Sequence, residues 1–356
     1  MNRRRYAILA PDRFATDAKT AHGVIAYGED DVVAVIDPSC AGKRVRDVLP
    51  YLKSDAPIVA SVAEALHFAP TSLMIGTAPK GGALPPDWRK AVLDAIAAKL
   101  EIVSGLHDML GRDREFHAAA LQAQTEIWDV REPPDVPLFN GDVYNVAAPT
   151  LLLVGNDCAV GKMTVALELV RAANEAGKKA RFVPTGQTGI MIAGWGISVD
   201  RVISDFAPGA TEQLVLYAAR EGADLIVVEG QGAINHPAYA PVTLSLMTGS
   251  APDGLVLVCD PRHPAIDVYE TPTLSYRELI RIHEALLATI KPAEVIGIAL
   301  NTRKLTKADA REEIERARRE TQLPADDVVR FGPQRFYAEI APKIVKRRRL
   351  VAPNAT

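Results

Sequence analysis

The segment that most restricts the fold is Thr150–Gly177, TLLLVGNDCAVGKMTVALELVRAANEAG. Leu151–Val154 is a short unbroken apolar run, as expected of a strand buried on both faces. Gly155 and Gly161 bracket a loop, and from Lys162 onward the apolar residues Val165, Leu169, Ala172, Ala173 and Ala176 recur at helical spacing. A strand, a glycine-bounded loop and a helix in that order leave unpaired backbone N–H groups at a helix start, where they and the helix dipole favour an anion. The glycines let the chain wrap closely, and Lys162 supplies a full positive charge. The spacing departs from the phosphate loop G-x-x-x-x-G-K-[ST]. Five residues, Asn156–Val160, separate the glycines, Met163 stands where a magnesium-binding hydroxyl belongs, and Thr164 comes one place late. The expected cofactor contacts are Gly155, Asn156, Asp157, Val160, Gly161, Lys162, Met163 and Thr164. The bland alternative is a glycine-rich turn without a ligand, against which the flanking strand and helix both count.

A chain of 356 residues is long for one core and is read as two domains, 1–132 and 150–345, joined by a linker over 133–149 and followed by a basic tail, 346–356. The linker, PPDVPLFNGDVYNVAAP from Pro133 to Pro149, is proline-rich and lacks periodicity. A net charge of -3 gives no general attraction to nucleic acid. KIVKRRRL, Lys343–Leu350, reads as a solvated tail before it reads as a nucleic-acid patch. Cys40, Cys158 and Cys259 lie far apart and form no CxxC pair, so neither a disulfide framework nor a bound metal is expected. The only apolar run before Pro11 is the five residues Tyr6–Ala10, too short for a signal-peptide core, and no run approaches the roughly 18 apolar residues of a membrane span. A cytoplasmic protein without a membrane or nucleic-acid partner is expected, acting on a small molecule and assembling as a homo-oligomer.

Between Tyr6 and Val130, candidate strands at Tyr6–Ala10, Asp31–Asp37, Pro57–Ala60, Ser72–Gly76, Glu101–Gly105 and Thr125–Val130 alternate with helical stretches at Val45–Leu52, Val62–His67, Asp87–Leu100 and Arg114–Ala123. Such alternation predicts an α/β fold with a parallel sheet covered on both faces. No G-x-G-x-x-G follows the first strand, so no dinucleotide site is expected. IGTAPKGGALPPDW, Ile75–Trp88, joins a strand to a helix, and its glycines would let amides face an anion; Ser104–His107 follow the next strand. A glycine-proline turn with a surface histidine explains the same residues.

In the second half, Ala180–Pro184 reads as a strand leading into a long glycine-rich loop, Pro184–Gly196, which carries Gln187 as a substrate contact. Asp205 stands before a helix beginning near Ala210, either as a pocket acid or as a structural aspartate. Leu225–Val228 is a buried strand with Glu229 at its carboxyl end, where phosphate-loop proteins place the acid that meets a metal or the reacting phosphate. Gln231, Asn235, His236 and Tyr239 follow on the same loop. Glu229 and His236 are the candidate catalytic residues, either of which could act as general base, although an isolated histidine is more often structural. Gly254–Asp260 is another buried strand, followed by Arg262 and His263, and the arginine suits a carboxylate or phosphate. Glu294–Asn301 and Val328–Phe331 read as further strands, and Tyr276–Ile290, Lys307–Glu320 and Pro333–Ile344 as helices.

The five-residue gap resembles the deviant phosphate loop of dethiobiotin synthetase and cobyric acid synthase, which use ATP. Taken together, GNDCAVGKMT (Gly155–Thr164), SDFAPGA (Ser204–Ala210), VEGQGAINHPAY (Val228–Tyr239), IGTAPKGG (Ile75–Gly82) and SGLH (Ser104–His107) resemble a two-domain family long catalogued as of unknown function. That family pairs a Rossmann-like N-terminal domain with a P-loop domain similar to dethiobiotin synthetase. Its characterised members are D-glutamate N-acetyltransferases, so the resemblance implies acetyl-CoA as cofactor and a D-amino acid as acceptor. With acetyl-CoA, the loop would hold phosphates without cleaving them, and Met163 would be no defect. Gln187, Asp205, Gln231 and Arg262 are the expected substrate contacts. Cys158 reads as a packing residue or as an acetyl carrier. The rival is an ATP- and Mg²⁺-dependent kinase or ligase, with Thr164 and Glu229 on the metal.

Overall fold

A computed structural model describes residues 3–77, 81–266 and 269–347. The chain forms two compact units, Met1–Pro133 with Gln187–Ser198, and Pro134–Gly186 with Val199–Thr356. Part of the expected anion loop, Ala78–Lys80, lies outside the described residues, as does 348–356.

In the first unit the elements run β1 (Arg5–Leu9), α1 (Lys19–Tyr27), β2 (Asp31–Ile36), α2 (Val45–Val48), β3 (Ile58–Val59), α3 (Val62–Ala65), β4 (Ser72–Ile75), α4 (Arg89–Ala97), β5 (Glu101–Ser104), α5 (Arg114–Ala123) and β6 (Ile127–Asp129). The six strands pair in parallel in the order β3-β2-β1-β4-β5-β6, so the sequence order reverses between β1 and β4 as in dinucleotide-binding folds. β4 is buried along its whole length, and β1 beyond its first residue, because helices cover both faces. α5 starts where Asp113 accepts hydrogen bonds from the amides of Glu115 (3.0 Å) and Phe116 (3.2 Å), an N-cap that relieves two unpaired donors. The expected anion loop is sewn to its neighbour: the His107 amide donates to the Gly82 carbonyl at 2.9 Å. A β-carbon on Gly82 would fall 2.3 Å from the His107 ring.

The second unit contains β7 (Thr150–Gly155), α6 (Lys162–Glu175) and β8 (Ala180–Val183). The chain then contributes α7 (Gln187–Ala193) to the first unit and returns as α8 (Ala207–Arg220), β9 (Leu225–Val228), α9 (Ala240–Ser250) and β10 (Gly254–Cys259). After the short ladder β11 (Ala265–Ile266) and β12 (Thr271–Pro272) come α10 (Tyr276–Ala288), β13 (Glu294–Leu300), α11 (Lys307–Thr321), β14 (Ala325–Asp326) and α12 (Gln334–Ile340). The parallel sheet has the order β14-β13-β10-β7-β9-β8. Every residue of β7, β9 and β10 is buried, which fits their unbroken apolar runs. β7 lies between β9 and β10, with Leu152 opposite Val228 and Gly155 opposite Val258. That register sets the phosphate loop, Glu229 and Asp260 side by side along one sheet edge.

Four local expectations need correction. The span Pro184–Gly196 is not one long loop, because Ile190, Met191 and Ile192 bury a short helix, α7. There, the Thr20 and Thr188 hydroxyls lie 3.1 Å apart, and Gln187 packs on Gly105. Val328–Phe331 is a turn and not a strand: one oxygen of buried Asp327 accepts from the amides of Val329 and Arg330, at 3.1 and 2.9 Å, and so diverts them from a ladder. α8 opens at Ala207, ahead of Ala210. The start of the basic tail is docked and not solvated. Asp253, fully buried, accepts from the Lys291 ammonium at 2.5 Å, the Lys346 ammonium at 3.2 Å and the Arg347 amide at 2.8 Å. A buried carboxylate requires such partners.

Pro134–Pro149 belongs to the second unit, where the buried Glu212 carboxylate accepts from the amides of Asn140, Gly141 and Val143 at 2.9 to 3.1 Å. No helix among the described residues is long and apolar enough to cross a membrane.

Candidate active site

At the end of β7 the chain turns sharply. A side chain at Gly155 would be tight, since a β-carbon would lie 3.0 Å from the Val258 carbonyl and 3.2 Å from the Lys162 side chain. Gly161 has φ +110°, a left-handed conformation that β-carbons oppose, and it delivers the chain into α6. Two amide side chains fix the loop to neighbouring strand ends. The Asn156 Nδ2 donates to the Asp260 carbonyl at 3.3 Å while its Oδ1 accepts from the Asp260 amide at 3.2 Å, and the Asn301 Nδ2 donates to the Val160 carbonyl at 3.0 Å. Asn156 is therefore a tether of the loop, and its side-chain amide is committed. Met163 and Thr164 occupy the first turn of α6, both half-buried.

Lys162 is buried, and its ammonium donates to the carbonyls of Asp157 (2.7 Å) and Gly232 (2.8 Å). An ammonium carries three donors, so one remains for an anion. Burial pushes its pKa down to about 8. The lysine stem runs beside Gly230, where a β-carbon would fall 1.6 Å from the Leu153 carbonyl.

Glu229 follows β9 and is 7% exposed. Its Oε2 accepts from the amides of Thr185 (2.9 Å) and Gly186 (3.1 Å), and the Thr185 hydroxyl donates back to the Glu229 carbonyl at 3.0 Å. The Gln231 side chain donates to the Thr185 carbonyl at 2.5 Å and closes this clamp. Burial raises the Glu229 pKa to about 7, opposed in part by the two amides and by the Lys162 charge. A carboxyl held there exchanges a proton near neutral pH.

Asp157 and two histidines meet at the mouth of the loop. His236 is 3% exposed, and its Nδ1 accepts from the amides of Ala238 (3.1 Å) and Tyr239 (3.2 Å). In a neutral ring, that fixes the proton on Nε2, which faces the Asp157 Oδ1 at 3.8 Å. The Tyr239 ring lies over the imidazole, with centroids 4.5 Å apart. The other Asp157 oxygen is 2.5 Å from the His263 Nε2, and the Cys158 amide donates to Oδ1 at 2.5 Å. Asp157, Cys158 and His236 hold donor atoms within 4.8 Å of one another, the one such trio among the described residues. A metal there would have to displace two amides from Nδ1 or strip the proton from Nε2, so the arrangement is a hydrogen-bonded cluster.

Of the remaining expected contacts, Arg262 is exposed and its guanidinium forms no ion pair among the described residues, while neighbouring Asp260 pairs with Lys304 at 3.2 Å. Gln231 is at the site but engaged with Thr185. Gln187 belongs to the first unit. Asp205 is exposed on the 3₁₀ turn Ser204–Phe206 and takes part in none of the hydrogen bonds that tie the site together. The sequence reading missed the Asp157–His263 pair. Its only signal was that both residues follow strands which prove to be neighbours, β7 and β10.

The description "Domain of unknown function (DUF1611_C) P-loop domain" matches residues 137–337, and "Domain of unknown function (DUF1611_N) Rossmann-like domain" matches residues 38–133. A relative from Pseudoalteromonas sp named D-glutamate N-acetyltransferase is 35% identical over 283 residues, covering 79% of this chain and 84% of that one. A second of the same name, from Tritonibacter scottomollicae, is 32% identical over 337 residues, covering 93% and 96%. The crystal structure of a DUF1611 family protein from Anabaena variabilis is 37% identical, with a TM-score of 0.89 over 95% of this chain and 99% of that one. With both units matched and relatives aligned along nearly its whole length, this chain belongs to the DUF1611 family, a Rossmann-like domain followed by a P-loop domain.

Proposed function

We propose that the protein is an N-acetyltransferase that moves the acetyl group of acetyl-CoA to the amine of a D-amino acid, D-glutamate first among the candidates. The observation that carries this reading is the shared name of two relatives that align over most of their own lengths. The loop chemistry supports it. Coenzyme A presents a pyrophosphate and a 3′-phosphate that need holding and not cleaving, and the start of α6 offers unpaired amides and the remaining Lys162 donor. Met163 at the position of the metal-binding hydroxyl suits a cradle of that kind better than a phosphoryl-transfer site. Arg262, exposed and without an ion pair among the described residues, suits a substrate carboxylate.

In direct transfer the acceptor ammonium first loses a proton, and its nitrogen then attacks the thioester carbonyl. The new C–N bond forms, the C–S bond breaks, and coenzyme A leaves as the thiol. Glu229, whose pKa lies at about 7, can relay protons near this chemistry, and the amides of Gly230–Gly232 are the donors for the tetrahedral oxyanion. The test is purified protein with acetyl-CoA and D-glutamate, read by thiol release, beside a separate incubation with ATP, Mg²⁺ and D-glutamate. Thiol release that requires the amino acid is expected. Phosphate or ADP release with no thiol would instead support the kinase or ligase reading.

A further inference from the structure

Two histidines share Asp157, yet only one of them has a nitrogen able to accept a proton. His236 uses Nδ1 on the amides of Ala238 and Tyr239 and turns its Nε2 hydrogen toward Asp157, so it has no lone pair to offer. His263 is arranged the other way. Its Nε2 hydrogen points at the Asp157 carboxylate, 2.5 Å away and 1% exposed, while the imidazole itself is 23% exposed. No described residue hydrogen-bonds its Nδ1. The backbone is fixed as well, since the His263 amide donates to the Asp260 carbonyl at 3.3 Å and the Thr273 hydroxyl donates to the His263 carbonyl at 2.5 Å. A buried carboxylate that orients an imidazole, leaving its outer nitrogen basic and reachable, is the base-and-orienter arrangement of acyl-transfer enzymes.

We propose that His263, oriented by Asp157, is the general base that takes the proton from the acceptor amine. The inference rests on the acetyltransferase reading and adds the residue which performs its proton transfer. As the amine nitrogen bonds to the acetyl carbon, His263 Nδ1 receives the nitrogen-bound proton and Asp157 stabilises the imidazolium. The electron pair of the breaking C–S bond passes to sulfur, and the same proton then goes to the departing thiolate. His263 is thus the catalytic residue, Asp157 a positioning residue, and His236 a second imidazole that faces the same carboxylate at 3.8 Å.

The test uses the full chain. His263→Gln keeps an N–H able to reach Asp157 but has no basic nitrogen. It is expected to lower kcat by about 10²- to 10⁴-fold while calorimetric affinity for acetyl-CoA stays within about threefold of wild type. His263→Ala is expected to regain activity with added imidazole, which restoration of packing alone would not produce. Asp157→Asn is expected to lower kcat, and the double variant with His263→Gln to be no slower than His263→Gln alone, since the pair acts as one unit. Independently of turnover, nitrogen NMR of the wild type with a neutral His263 ring should find its proton on Nε2, facing Asp157. A neutral ring with its proton on Nδ1, a His263→Gln variant with near wild-type kcat, or a His263→Ala variant without imidazole rescue would each overturn the assignment while leaving the transferase reading in place. A wild-type protein that releases no thiol from acetyl-CoA would remove both.

Discussion

Glu229→Gln separates the electrostatic cost of the site from its chemistry. Burial raises the Glu229 pKa from the ordinary 4.5 to about 7. The folded protein therefore binds this proton more tightly than the unfolded chain, so the group favours folding fully below pH 4.5, and that contribution is lost as pH rises through about 7. The 2.5-unit difference between 4.5 and about 7 corresponds to about 3 kcal/mol in all, of which about 2 kcal/mol disappears between about pH 5 and pH 7.5. Glutamine keeps an oxygen to accept from Thr185 and Gly186 but has no charge to bury. Lys162, with its pKa at about 8, stays largely protonated through that window and adds little to the slope. Urea unfolding of both proteins across this range isolates the group, because titrations not coupled to Glu229 cancel in the difference and Lys162, which is coupled to it, stays largely protonated. The stability of the variant relative to wild type should rise by about 2 kcal/mol from the acid to the neutral end. A difference curve flat to within about 0.5 kcal/mol would refute the claim that the carboxylate pays a burial penalty.

Lys162→Met should weaken acetyl-CoA binding by about 10- to 100-fold in calorimetry, the worth of one charge-assisted hydrogen bond to phosphate, whichever residue proves to be the base. Gly230→Ala should lower the melting temperature sharply, with a loss of about 3 kcal/mol or more, because its β-carbon would sit 1.6 Å from the Leu153 carbonyl in β7; a variant as stable as wild type would show that the strand can yield.

Much of the fold was legible wherever a segment's own chemistry decides its conformation. The unbroken apolar runs of β7, β9 and β10, the glycines of the loop and the Asp113 cap of α5 each carry a local physical cause. α1 and α9 were missed because they lack one. KTAHGVIAY begins after Ala18, which gives no side-chain cap, and contains a glycine; APVTLSLMTGS mixes Thr and Ser with apolar residues all round and shows no helical stripe. Both are held by tertiary packing, α1 against α7 and α9 against α8. Val328–Phe331 failed in the opposite sense. Its β-branched residues read as a strand, but the Asp327 carboxylate captured the amides first.

At the site, Lys162 and Glu229 could be read from sequence because strand ends and helix starts dictate where such residues stand. The roles of the histidines could not be. His236 precedes α9, and the donors that occupy its Nδ1 are the amides just ahead of that helix, at Ala238 and Tyr239. The side chain thus braces the turn that leads into α9, and the lone pair that would make it a base is spent on the backbone. A histidine next to an acid in a glycine-rich loop looks catalytic in one dimension. Which nitrogen remains free depends on a helix that the sequence did not announce and on Asp157, 106 residues before His263. Proton acceptance therefore passes to the histidine whose outer nitrogen no described residue has claimed, and the β7–β10 pairing is what brings His263 to Asp157.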